Sequence, residues 1–402
     1  MPRVLHVMHG LLLGGLERLV VDLAARSRRR GVEAMVVAVG ADGSGPAGAL
    51  DADGRGPVAA LLEAEDIPYL AIPARGLSVE AMRLIVGAAH RFDADVLHGH
   101  DIGPWMVAVA CASLLPGVSA LATFHTVKPP SGSRRFAARV AASLSPTLVA
   151  CGREVARDLE SWVPAGSRIE TIENGIEVGS LPTALDRAAA RRRMGLPEGA
   201  LAIGFLGRLF EEKAPDVLAE AFARAFADRP DVHLVVVGYG PMEADLRAQA
   251  ERDPRVHLLG RVMDGRALLA GLDVYAQPSK REGNSLALLE AMAAGLPTVA
   301  SRLPAIAEVH EEGATALLAA PGNAAGVGEA LRRLVDDPAL RARFGAAARL
   351  RVDQHSAERM MDGYLAVYED LADDRRRPRS LRQRQDRQPQ DQRNGFTART
   401  VH

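Results

Sequence analysis

Lysine is nearly missing from this chain. Of its 49 basic residues only Lys128, Lys213 and Lys280 are not arginine, so a lysine inside a motif carries information. Two cysteines, Cys111 and Cys151, exclude a disulfide framework and fit a reducing compartment. No apolar run reaches the roughly 20 residues of a spanning helix. The longest, Trp105–Leu115, is broken by Pro116-Gly117, and the start MPRVLHVMHG lacks the long apolar segment of a secretory signal. These absences predict a cytoplasmic protein whose membrane contact is at most peripheral, at the inner face. Acidic charge is not in short supply. Nine arginines and two aspartates from Arg375 onward leave residues 1–374 at −8, which argues against nucleic acid as a main partner.

What is present is alternation. A length of 402 residues implies two domains. Short β-branched runs at Val4–Met8, Met35–Val39, Val96–His98, Ala120–Phe124 and Leu148–Ala150 are separated by helical patterns. A second series follows at Leu201–Leu206, Val232–Val237, Val256–Leu259, Val274–Gln277 and Thr298–Ala300. This is the pattern of an α/β protein with parallel sheets. Asn174-Gly175 marks a turn, the Arg-rich stretch Leu185–Arg193 reads as the inter-domain linker, and Ser44–Pro57 reads as a mobile loop. Met361, Tyr364, Leu365, Tyr368 and Leu371 predict an amphipathic helix over 356–371. The expected division is 1–181, 182–355, a helix over 356–374 crossing back to the first domain, and a disordered 375–402 tail with almost nothing apolar to pack.

In doubly wound sheets ligands bind beyond the carboxyl ends of strands. Four such ends carry suggestive residues: Gly14-Gly15-Leu16-Glu17, Gly207-Arg208-Leu209 with Lys213, Gly238-Tyr239-Gly240, and Ser279-Lys280-Arg281-Glu282-Gly283-Asn284-Ser285. Arg208 and Lys213 supply the charge a diphosphate needs. The turn at Asn284-Ser285 opens a helix whose N–H groups form an anion site, and Gly14-Gly15 permit close backbone approach. Glu290 sits inside Leu-Ala-Leu-Leu-Glu-Ala-Met-Ala, an apolar helix in which an ionised carboxylate requires a partner.

These residues resemble the retaining glycosyltransferases of family 4, which have the GT-B fold. The resemblance runs from Gly14-Gly15-Leu16-Glu17 through Thr123-Phe124-His125-Thr126 and Asn174-Gly175-Ile176 to Gly207-Arg208-Leu209 with Lys213. It ends in Glu282, seven residues and Glu290, followed by Gly295-Leu296-Pro297. It implies two Rossmann-like domains facing a cleft and a nucleotide-diphosphate sugar donor, UDP- or GDP-linked. The acceptor it implies is a glycan, a lipid-linked group or a small molecule. No cofactor and no metal are implied. By this resemblance Arg208, Lys213, Glu282 and His125 are catalytic. Gly14, Gly15, Val262, Asn284, Ser285, Leu286 and Glu290 bind the donor, Glu290 through the ribose hydroxyls and Val262 through main-chain contact with the base. Asn284-Ser285 replaces the frequent Phe-Gly, Glu177 the usual Asp and Cys151 a common Ser, so the sugar pocket departs from the family pattern.

Other readings are weaker. No strand is followed by G-x-G-x-x-G, which disfavours a dehydrogenase, and no lysine is placed for a pyridoxal Schiff base. An epimerase of the same fold and an inactive sugar-nucleotide-binding subunit remain as alternatives. The spacing of His98 and His100 lacks the carboxylate or cysteine support of a metal site, and the pair is expected to line the cleft or cap a strand. Arg134, Arg135 and Arg139 read as a solvated helix face, with docking on an anionic membrane the sharper alternative.

Overall fold

The computed structural model describes residues 1–11, 14–40, 56–73, 77–126, 129–178 and 184–376. The expected loop at Ser44–Pro57, up to residue 55, and the tail beyond residue 376 lie outside the described residues.

Strand and helix alternate throughout. The first series is β1 (Arg3–His9), α1 (Gly15–Arg29), β2 (Glu33–Val39), α2 (Pro57–Ala64), β3 (Tyr69–Ile72), α3 (Val79–Phe92), β4 (Val96–His100) and α4 (Ile102–Ala112), then β5 (Ser119–Phe124), α5 (Gly132–Leu144), β6 (Thr147–Ala150), α6 (Arg153–Glu160) and β7 (Arg168–Thr171). The second is α7 (Ala184–Arg193), β8 (Leu201–Leu206), α8 (Pro215–Ala225), β9 (Val232–Val237), α9 (Glu243–Ala250), β10 (Val256–Gly260), β11 (Val274–Gln277) and α10 (Leu286–Ala293). It continues with β12 (Thr298–Ser301), α11 (Pro304–Val309), β13 (Ala316–Ala319), α12 (Ala324–Asp336), α13 (Pro338–Val352) and α14 (Ala357–Arg376).

The strands form two sheets, ordered β3-β2-β1-β4-β5-β6-β7 and β10-β9-β8-β11-β12-β13. Every strand pair is parallel. The central strands are buried and mainly apolar, as a sheet covered by helices on both faces demands. The order reverses between β1 and β4 and again between β8 and β11. A crevice opens where successive crossovers leave in opposite directions.

Two sequence expectations are corrected here. Leu185–Arg193 is not a linker but part of α7, docked on the second domain. Arg187 donates to Asp273 at 2.7 Å, and Arg191 to the Gly271 carbonyl at 3.0 Å. The closing helix runs on to Arg376, past the expected end at 374. It packs into the first domain, where Met360, Met361, Tyr364, Val367 and Tyr368 share a core with Val4, Leu19, Val96, Leu121 and Val149.

Candidate active site

Both switch points carry the expected residues. At the first, β1 leads to Gly14-Gly15 and β4 to His100. At the second, β8 leads to Arg208 and Lys213, and β11 leads to Ser279–Ser285. Helices α1 and α10 start without a side-chain cap, from Gly14 and Ser285. They start close together: a Cβ on Gly15 would lie 3.8 Å from the Leu286 Cδ1. Two open helix N-termini meeting across a cleft concentrate free N–H groups and positive helix-dipole potential on one spot.

Lys213 and Glu282, which the sequence places separately on the diphosphate and on the sugar, are joined. The Lys213 ammonium donates to both Glu282 carboxylate oxygens, each at 2.7 Å, and the carboxylate side chain is only 4% exposed. Ser279 Oγ donates to the same carboxylate at 2.6 Å, and so does Gln277 Nε2. Gln277 is itself held by the Tyr275 hydroxyl at 2.9 Å and donates to Ser285 Oγ at 2.9 Å. The Ser285 hydroxyl is thus committed to Gln277 rather than to its own helix. Sequence reasoning missed Gln277 and Ser279. Their signal was position alone, as polar residues at the end of an apolar strand.

Asn284 has no such anchor. Its side chain is buried, yet both its amide nitrogen and its oxygen lack a hydrogen-bond partner. Its main-chain carbonyl instead accepts from Asn174 Nδ2 at 2.8 Å. Unpaired buried amide atoms are costly, and this side chain lies against the first domain, its Cβ 3.8 Å from where a Cβ on Gly152 would stand. The next turn is pressed against the first domain, because a Cβ on Gly283 would come within 2.2 Å of the His125 carbonyl. Only glycine fits there.

Arg208 donates to Glu212 at 3.3 Å and stacks over Phe210. It also lies near enough to Glu17 to hold that carboxyl down, while burial, the stronger influence, raises it to about 7. Glu17 folds back over the start of α1, where a Cβ on Gly14 would meet its Oε2. The space the sequence assigns to a phosphate at Gly14-Gly15 is thus held by the chain's own carboxyl group. Glu290 is partly buried in α10 with no hydrogen bond or ion pair to any described residue. Burial raises its pKa, Arg18 and Arg266 lower it, and Asp22 and Asp264 raise it again. Val262 packs on the core of the second domain, and its neighbour Arg261 stacks over Tyr239 at 3.8 Å.

His98 lies within β4 and His100 is its last residue, closing the strand as expected. Both side chains are buried and so do not line the open cleft. His98 pairs with the Tyr368 hydroxyl at 2.8 Å and with Thr123 at 2.7 Å, and Thr123 meets Tyr364 at 3.1 Å. His6, His98 and His100 bring three ring nitrogens within 4.8 Å of one another, but both nitrogens of His98 are already engaged. A file of rings runs outward: His6 Nδ1 to His100 Nε2 at 3.1 Å, and His100 Nδ1 to His125 Nε2 at 3.3 Å. Burial keeps all three neutral, with His6 pushed down to about 3. Each neutral ring donates once and accepts once. His6 Nε2 is buried without a partner, and an orphan lone pair costs less than an orphan N–H. The network therefore assigns every donor outward, so that His125 Nδ1–H points away from the file. Asp101, unnoticed in the sequence, fixes the same loop. Its backbone is strained at φ 64°, and its carboxylate accepts the His125 N–H at 2.9 Å.

Two facing Rossmann-like domains with their charged groups at paired switch points define a GT-B glycosyltransferase. The comparisons agree: residues 13–179 match the Glycosyltransferase Family 4 model and residues 200–337 the Glycosyl transferases group 1 model. The chain belongs to this family. It is 32% identical over 293 residues to a phosphatidyl-myo-inositol mannosyltransferase of Mycobacterium leprae, covering 70% of this chain and 74% of that one. It is 29% identical over 268 residues to a GDP-mannose-dependent monoacylated alpha-(1-6)-phosphatidylinositol monomannoside mannosyltransferase of Corynebacterium glutamicum, covering 64% of each. Among solved structures, Anabaena HepE in complex with UDP-glucose is similar with a TM-score of 0.79 at 20% identity, covering 92% of this chain and all of that one.

Proposed function

We propose that the chain moves a hexosyl group from a nucleotide-diphosphate sugar to an acceptor hydroxyl, with retention at the anomeric carbon and without a metal or other cofactor. The observation that carries this reading is the uncapped N-terminus of α10, preceded in the same loop by the unpartnered Asn284 side chain and by Glu282, which is paired to Lys213. In this reading the leaving diphosphate rests on the N–H groups of Asn284, Ser285 and Leu286 and on the backbone at Gly14 and Gly15. Arg208 and Lys213 meet its charge, as a divalent cation does in other transferases. Glu282 borders the sugar, where its carboxylate favours positive charge developing at the anomeric carbon, and His125 donates to a sugar hydroxyl. Glu290 takes the ribose hydroxyls and the main chain at Val262 the base. The acceptor, a glycan, a lipid-linked group or a small molecule, approaches from the first domain. The family names of the relatives put an inositol-bearing lipid first among these.

The test is a melting-temperature panel of nucleotide-sugars, GDP-mannose foremost, followed by turnover in chelator. A donor-specific rise and chelator-resistant turnover are expected. If no nucleotide-sugar raises the melting temperature, the reading falls. If a donor binds but no sugar is ever released or transferred, the inactive-subunit alternative takes its place.

Glu17 makes this site pH-dependent. Its carboxyl is raised to about 7, so it is neutral below that pH and negative above it. A negative carboxylate at the start of α1 repels the diphosphate, and donor affinity should fall about threefold to tenfold between about pH 6 and 8. The sign for stability follows from the same shift. Ionising a group whose folded pKa is raised costs stability as pH climbs from 4.5 toward 7, so Glu17→Gln should gain stability at alkaline pH and not at pH 4. Calorimetric affinities for a phosphodiester-linked donor, which itself does not titrate here, check the idea. A pH slope that survives Glu17→Gln would refute it.

A further inference from the structure

Helix α5 is inside out. An ordinary surface helix buries its large apolar residues and exposes polar ones. Here the residues facing the core are Ala138, Ala141 and Ala142. The large apolar side chains, Phe136, Val140 and Leu144, are 72%, 46% and 65% exposed. Spaced four apart, they form one outward stripe about two turns long. Leu114, just past the end of the adjoining helix α4, is also 61% exposed.

The charge of the segment that holds this stripe is one-sided. From Ile102 to Arg153 the sequence holds no aspartate or glutamate in 52 residues, against five cations: Lys128, Arg134, Arg135, Arg139 and Arg153. The chain up to residue 374 is otherwise acidic. Arg135 and Arg139 are fixed along one flank of the stripe, donating to the Ser161 carbonyl at 3.2 Å and the Trp162 carbonyl at 2.6 Å. Arg134 is exposed one turn before the helix centre.

We infer that the α5 face is a docking surface for an anionic lipid bilayer. A protein partner or a second copy would also cover apolar area, but a 52-residue stretch that carries five cations and no acid, in a chain that is acidic elsewhere up to residue 374, matches a sheet of negative headgroups. Phe and Leu facing outward with arginines on the flank is the makeup of a helix lying in the membrane interface. The helix begins seven residues after His125, so docking here brings the acceptor side of the cleft to the membrane surface. That last consequence rests on the proposed transferase reading; the docking itself does not.

The experiment is sedimentation of the full-length protein with phosphatidylglycerol vesicles and with phosphatidylcholine vesicles, without donor. Binding is expected to the first, weakened by salt, and little to the second. The double variant Phe136→Asp, Val140→Asp should bind phosphatidylglycerol at least about tenfold more weakly. Both positions are exposed, so its melting temperature and its response to nucleotide-sugar should match the parent and show that the fold and donor site are intact. Equal vesicle binding by parent and variant overturns the inference, as does failure of the parent to bind anionic vesicles. A parent that is dimeric in solution and made monomeric by the same substitutions also overturns it, since the stripe would then be a protein interface. A donor response that is missing from both proteins counts against the transferase reading and leaves the membrane result standing.

Discussion

Lys213→Ala should lose roughly 10²–10³-fold in kcat, the cost of removing a donor aimed at developing negative charge, and it should also lower the melting temperature. A cation that merely faced solvent in a cleft would give only the first effect. Here the ammonium spans both oxygens of a carboxylate that is almost fully buried. Removing one partner of such a pair strands the other, at about 3 kcal/mol or more. Adding Glu282→Gln to the Lys213→Ala protein removes the stranded charge, so stability should return while turnover does not. The pair of measurements separates the structural from the catalytic share. Near-normal turnover in the single variant would end the assignment of Lys213 to the leaving group.

Glu290→Gln should have a nearly opposite profile. The carboxylate has no hydrogen bond or ion pair to a described residue, and burial raises its pKa. A raised carboxyl pKa means that the ionised form costs folding stability above pH 4.5, so the glutamine variant should be as stable as the parent at neutral pH, or more so. The gain should vanish in acid, where the parent is already neutral. Donor affinity should weaken roughly tenfold to a hundredfold, because a charged hydrogen bond to a hydroxyl contributes about 1.5–3 kcal/mol. Unchanged affinity with reduced stability would mean that Glu290 serves the fold and not the ribose.

Much of the architecture was legible because central parallel strands are mainly apolar on both faces. Val4–Met8, Val232–Val237 and Val274–Gln277 declare themselves. The strands that escaped notice are short or at sheet edges. Tyr69–Ile72 and Arg168–Thr171 are the outermost pair of the first sheet and half exposed, and Ala316–Ala319 is made of residues that favour helix. Helix α7 was hidden for a different reason: its arginines look like linker charge until Asp273, more than eighty residues on, is folded against them. The site divides likewise. Glycines, cations and glutamates at strand ends could be read from position. What they touch could not, because Lys213 meets Glu282 across 69 residues and His98 meets Tyr368 across 270.

The helix that closes the fold has a consequence for how the chain is made. Residues 357 to 376 emerge from the ribosome after both sheets are complete, yet their tyrosines and methionines fill the interior of the first domain. That domain must therefore wait. Until the closing helix arrives, the faces of Val4, Leu19, Val96 and Val149 that it covers stay wet and the Thr123 and His98 polar atoms lack their tyrosine partners. The half synthesised first is the half finished last. A stop codon anywhere in the second domain would spoil the first one too, and residues 1–181 produced alone are an unfinished body, to be completed by adding the closing segment as a separate peptide.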